Sequence, residues 1–219
     1  MHYSSAKAAT MVSNFVGTSF LLTVFGGFVA DSFLTRFAAV VLFCSIELLG
    51  LILLTVQAHN HKLQPHGDKT PSTLQPTVLF TGLYAIAIGV GGVKGSLPAH
   101  GGDQLDSRNQ RLISGFFNWF FFSVCLGGFL AVTLMVWIEE NKVWSSSFNT
   151  TTAVLASAIF IFVVGCPMYR YKRPTGSPLT RILNMFVSAA RNRNKYVTDA
   201  EVTQNQNSTD KSIHHNKFK

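Results

Sequence analysis

Five runs of this sequence, residues 8–30, 37–56, 77–97, 112–138 and 152–169, are apolar along nearly their whole length. A hydrocarbon core roughly 30 Å thick calls for about 20 apolar residues per crossing, and in lipid only a helix satisfies its own backbone polar groups within one segment. The chain therefore reads as an all-α membrane protein with five transmembrane helices. Its 219 residues suffice for one bundle with short connections. Composition agrees, with 47% hydrophobic and 13% charged residues. An ordinary soluble domain has about 25% charged residues.

Between the second and third runs lies QAHNHKLQPHGDKTPSTLQP, rich in turn formers. Its His59, His61 and His66 follow no metal-ligand spacing, so it reads as a solvated loop. Cys44, Cys125 and Cys166 all fall inside apolar runs and imply neither disulfides nor a metal framework. No cofactor is called for.

Basic residues set the orientation, because Lys and Arg in short loops stay on the cytoplasmic side. With residues 31–36, 100–111 and the tail inside, that side holds Arg36, Arg108, Arg111 and ten more cations. The other side holds Lys7, Lys62, Lys69 and Lys142. The reading is a multi-pass protein, of the plasma membrane, with its C-terminus cytoplasmic and its N-terminus outside. Met1 leads almost directly into a long helix, so no cleavable signal peptide is expected, and the odd span number points to a preceding helix. Asn149, in Asn-Thr-Thr ahead of the fifth span, is then a glycosylation candidate on the lumenal side. Asn207, in Asn-Ser-Thr, is cytoplasmic and is not.

From Arg170 onward there are ten Lys and Arg against three acids. Anionic lipid beside the last span explains this excess better than nucleic acid does. Within residues 171–195, Leu179, Ile182, Leu183, Phe186, Val187 and Ala190 recur at helical spacing among Arg181, Arg191, Arg193 and Lys195. They predict a basic amphipathic helix in the cytoplasmic interface. Residues 196–219 are polar enough to be disordered.

Two ionisable residues interrupt the spans. Glu47 lies near the middle of the second and Lys94 towards the cytoplasmic end of the third. Charge at such depth is costly, so it faces a bundle interior or a water-filled cavity. For Lys94 a transport role outweighs snorkelling to the headgroups, since its flanking residue is glycine. For Glu47 a packing carboxyl and a proton-handling one are equally compatible with the sequence. Gly89, Gly91, Gly92 and Gly95 allow neighbouring helices to approach closely. A phosphate loop is excluded, because the glycines end a helix and lack the Gly-Lys-Ser/Thr ending. His100, Asp103 and Asp106, next to Arg108 and Arg111, suit capping and ion pairing, not hydrolysis. Asp31 and Arg36 bracket the turn between spans one and two, where a charged clamp that opens and closes is a gate.

These residues carry a resemblance. GGFVADSFLTRF, residues 26–37, resembles the loop between the second and third helices of major facilitator transporters, with Gly27, Asp31 and Arg36 matching. IGVGGVKGSLPAHGGDQLD, 88–106, is similar to the fourth helix and following loop of the proton-coupled oligopeptide transporter family, and within it the plant nitrate/peptide branch. FFNWFFFSVCLGG, 116–128, resembles that family's fifth-helix signature, and KRPTGSPLTRI, 172–182, the stretch leading out of helix six. The resemblance implies a partial N-terminal helical bundle of the major facilitator fold, helices two to six. The first helix, with its Glu-x-x-Glu-Arg proton-coupling motif, and the C-terminal bundle would then lie outside this chain as its partners. It also implies that Lys94 couples protons and binds a small-molecule solute, and that Asp103, Asp106 and Arg111 join Gly27, Asp31 and Arg36 at the cytoplasmic gate.

Cys125 stands where many members carry an asparagine whose amide binds peptide, which weakens a peptide substrate. The AHGGDQLD spelling resembles a subgroup that includes importers of the hormone abscisic acid, so nitrate, a hormone and a peptide all stand as solutes. By this resemblance the chain serves proton-coupled transport without being active alone. The alternative is a non-transporting membrane protein that associates with full-length relatives. No catalytic constellation supports an enzyme.

Overall fold

The computed structural model describes residues 4–60, 63, 73–106, 108–142, 144–171 and 178–192. Among them are six α-helices: α1 (Ser5–Ser32), α2 (Arg36–His59), α3 (Leu74–Asp103), α4 (Gln110–Asn141), α5 (Trp144–Val164) and α6 (Pro178–Asn192). The first five are long and apolar enough to cross a membrane. With α1 to α5 running alternately up and down, the α1–α2 turn, the α3–α4 turn and the end of α5 share one end of the bundle. It is called the clamp end below.

The helices extend past the apolar runs that predict them at nearly every end, and α2 and α4 carry side-chain caps at their polar N-termini. Thr35 opens α2 by accepting the Ala38 N–H on its hydroxyl, and Asn109 opens α4 by accepting the Leu112 N–H on its side-chain Oδ1. The largest difference is at α5. Apolarity alone starts this span at residue 152, yet the helix begins at Trp144 and ends at Val164, before a 3₁₀ turn at Cys166–Met168. The added turns are rich in Ser and Thr. The hydroxyls of Thr150, Thr151 and Thr152 each donate to the carbonyl four residues back, so they are satisfied inside the helix.

At the centre is α3, packed against α1 on one side and α2 on the other. Its glycines make this possible. A side chain at Gly92 would run into the Phe43 ring of α2, and one at Gly26 of α1 into the Gly92 backbone. Ala30, Ala39 and Phe43 form the buried core beside these contacts, flanked by Val29, Leu34, Ile46, Ile88 and Val93. A hydrogen bond of 3.1 Å between the hydroxyls of Thr55 and Thr152 joins α2 to α5. By contrast α4 has no buried residue. It meets α3 where Phe116 and Phe117 approach Gly101 and Gly102.

A separate unit begins at Pro178. Within it α6 exposes Ile182, Leu183, Met185, Phe186 and Val187. His61, His66 and residues 193–219, including the stretch expected to be disordered, lie outside the described residues. His59 sits in the last turn of α2 with Nδ1 3.4 Å from the Thr55 carbonyl oxygen.

Candidate functional site

Two polar sites lie along α3, and the same short run supplies both. At the clamp end, Arg36 opens α2 with its guanidinium turned across the α1–α2 turn. Its Nε and Nη2 donate to Asp31 Oδ1 at 3.2 and 3.1 Å. Its Nη1 donates to Asp103 Oδ2 at 2.6 Å and to the Ala99 carbonyl at 3.2 Å. One planar cation thus ties the end of α1, the start of α2 and the end of α3. The rigid donor fork of Arg suits this role, whereas the point charge of Lys would not reach three acceptors in one plane. The side chains are partly shielded, 29% exposed for Arg36 and 11% for Asp103, so the bonds are stronger than a surface pair would be.

The clamp fits together because the helices above it touch. A side chain at Gly95 would strike the Thr23 carbonyl and the Gly27 backbone, so α1 and α3 are in near backbone contact about one turn from Asp31 and two turns from Asp103. Gly27 itself is looser, with the Gly95 carbonyl at 3.7 Å from where a Cβ would stand.

Further into the bundle, Lys94 is exposed on α3, and its Nζ lies 4.5 Å from the centre of the Phe20 ring of α1. This is a cation over an aromatic face. Pro98, four residues on, has no N–H to offer the Lys94 carbonyl, so the backbone at the lysine lacks its usual helical donor. Glu47 of α2 is half-buried, with its backbone and Cβ set against Gly89. Among the described residues no salt bridge joins Glu47 to Lys94. The site is an ammonium group over an aromatic ring, with a carboxyl-bearing residue packed against α3 a little over one turn from the lysine, the three on different helices.

A family model described as PTR2, POT family, matches residues 37–218. The chain belongs to the POT family. "Protein NRT1/ PTR FAMILY 4.1" of Arabidopsis thaliana is 84% identical over the whole of this chain, and "Protein NRT1/ PTR FAMILY 4.2" of the same plant is 62% identical. The chain spans 43% and 42% of the length of these two relatives. Among solved structures, the POT family transporter PepTSo is 24% identical, with a TM-score of 0.62 over 74% of this chain and 29% of that one. A proton dependent oligopeptide (POT) family transporter is 26% identical, with a TM-score of 0.60 over 80% of this chain and 36% of that one. The fold is therefore that of POT transporters, an integral membrane helical bundle, and the family is one of transporters, not enzymes.

Set on this POT bundle, the residues singled out in the sequence divide. Asp31, Arg36 and Asp103 converge. Asp106 and Arg111 do not join them: both are exposed, and Asp106 Oδ1 instead accepts the Arg108 N–H at 3.1 Å, shaping the turn before α4. Cys125 is exposed on α4, well beyond its contact with α3. Asn149 is exposed but sits inside α5, not ahead of the span. Sequence reading missed Phe20, Gly26 and Gln104. Phe20 carried no signal among 19 phenylalanines, whereas Gly26 was readable in the Gly-Gly pair of GGFVAD.

Proposed function

We propose that this chain forms part of the membrane path of a proton-coupled carrier of a small solute, with Lys94 as the cation that meets the solute or the coupling carboxylates. One observation carries the reading: in a POT-family bundle, the Lys94 ammonium stands exposed beside the α1–α3 contact, held over Phe20 and without an ion-pair partner among the described residues. A charge in that position attracts anionic groups and responds to protonation of nearby carboxyls, Glu47 among them. Nitrate, a weak-acid hormone and a peptide are the candidate solutes. Cys125 in place of an amide weighs against the peptide.

The clamp end is the cytoplasmic end in this reading, since Arg36, Arg108, Arg111 and Arg170 gather there while Lys7 and Lys142 lie at the other. The test is uptake of nitrate, dipeptides and a weak-acid hormone at external pH 5.5 and 7.5 (about a hundredfold proton ratio). It is measured with the chain itself and with a full-length relative carrying this chain's residues. Uptake that rises at the lower pH supports the reading, and uptake indifferent to the gradient for every solute in both proteins removes it.

The same reading places α6 in the cytoplasmic lipid interface, its exposed Ile182, Phe186 and Val187 in the acyl boundary and Arg181 among headgroups. In membranes holding the protein without its native cysteines, a thiol introduced by Phe186→Cys should react with a water-soluble maleimide about tenfold more slowly than one introduced by Arg181→Cys. Equal rates would mean that α6 lies in water.

A further inference from the structure

After α5 the chain does not leave the bundle at once. The 3₁₀ turn at Cys166–Met168 redirects it, and Tyr169, Arg170 and Tyr171 reach from the end of α3 to the start of α2. Gln104, which closes α3, grips this segment through one side-chain amide. Its Oε1 accepts the Arg170 N–H at 2.8 Å and its Nε2 donates to the Arg170 carbonyl at 3.3 Å. Both main-chain groups of one residue are thereby held, as a neighbouring strand would hold them.

Rings fix the residues on either side. Tyr169 stands edge-on to His100, with centroids 5.0 Å apart, and Tyr171 stands edge-on to Phe37 at 5.7 Å. Phe37 stacks in turn on Phe162 of α5. The Tyr171 hydroxyl lies 2.6 Å from Cys166 Sγ, which closes the loop on itself. His100 is 5% exposed, buried under this layer.

The segment and the clamp share a wall. A cavity of about 10 Å³ lies between them, lined by Arg36 and Asp103 from the clamp and by His100, Arg170 and Tyr171 from the segment's side. That volume admits one water at most, so the cavity is a seam and not a ligand site. Moving the segment away would open the Arg36–Asp103 bond to solvent and free Phe37, the residue next to Arg36.

We propose that Tyr169–Tyr171 is a strap, fastened by Gln104 and His100, that keeps the Arg36–Asp103 clamp closed, so that Gln104 is a positioning residue for the gate. The proposal rests on the transport reading only in calling the clamp a gate. The position of the strap sets whether the ends of α2 and α3 can part, and so links whatever follows the bundle to the opening of the path.

Thiol labelling tests this without substrate. In open membranes carrying the full chain with Cys44→Ala and Cys125→Ala, Cys166 reports release of the strap. In the same protein with Cys166→Ala as well, Ser96→Cys reports opening of the clamp end, since Ser96 is 0% exposed and one turn deeper than His100. Gln104→Ala should raise maleimide labelling of Cys166 about tenfold, and should raise labelling of the Ser96→Cys thiol in parallel. Gln104→Glu keeps the acceptor for the Arg170 N–H but sets a carboxylate oxygen against the Arg170 carbonyl, so it should restore only part of the protection at both positions, which a general loss of folding would not allow. Unchanged labelling of Cys166 in Gln104→Ala overturns the strap. Faster labelling of Cys166 with position 96 still protected overturns its hold on the clamp. Both expected rises, together with no proton-driven uptake in either the chain or the full-length relative carrying its residues, would sink the transport reading and leave the strap intact.

Discussion

Lys94→Ala is expected to cut proton-driven uptake about 100-fold, equivalent to ~3 kcal/mol of lost interaction with an anionic partner, while leaving the amount of folded protein unchanged. The two halves of that expectation have separate grounds. Lys94 is exposed on α3 and its head rests on one ring face, so removing it opens no cavity and breaks no salt bridge among the described residues. The functional loss is large because an anionic partner inside the membrane would be left without its counter-charge. Phe20→Leu should cost less, about three- to fivefold, since a cation over an exposed ring contributes only about 0.5–1 kcal/mol. The measurement is initial uptake at external pH 5.5 in the full-length relative carrying this chain's residues, normalised to surface expression. Lys94→Ala retaining wild-type uptake would show that the ammonium is a passenger on the helix.

A second substitution of large effect concerns folding. Gly92→Leu is expected to remove most of the monodisperse protein from detergent extracts, with a destabilisation of at least about 3 kcal/mol. The new side chain would occupy the space of the Phe43 ring, and that ring cannot yield, being 3% exposed in the core with Ala30 and Ala39. Gly26→Leu should behave alike, because its obstacle is the Gly92 backbone. Gly127→Ala and Gly128→Ala are the controls. Among the described residues, nothing beyond the helix's own backbone lies within 4 Å of a Cβ at either position, so both should leave the extract unchanged or slightly more stable. Size-exclusion profiles and thermal melting of the four variants decide the matter. A Gly92→Leu protein that elutes and melts like the wild type would mean that α1, α2 and α3 do not meet at this glycine.

The membrane class, the number of spans and the family were all legible in the chain, since hydropathy and short motifs are properties of contiguous residues. Helix ends were less so: the polar turns that begin α5 look like loop until the hydroxyls of Thr150, Thr151 and Thr152 are seen to bond back along the helix. The clamp was half visible. Asp31 and Arg36 flank one turn, but whether Asp103 or Asp106 completes the set depends on where α3 stops, and only Asp103 remains on the helix facing Arg36. Helices that are apolar on every side carry no pattern announcing which face meets a neighbour. For that reason the sequence by itself determined what the segments are and which solvent surrounds them. Only the tertiary structure decided that Lys94 meets Phe20, that Gly92 meets Gly26 and Phe43, and that Gln104 holds Arg170, because each pair joins residues far apart along the chain through contacts fixed by packing.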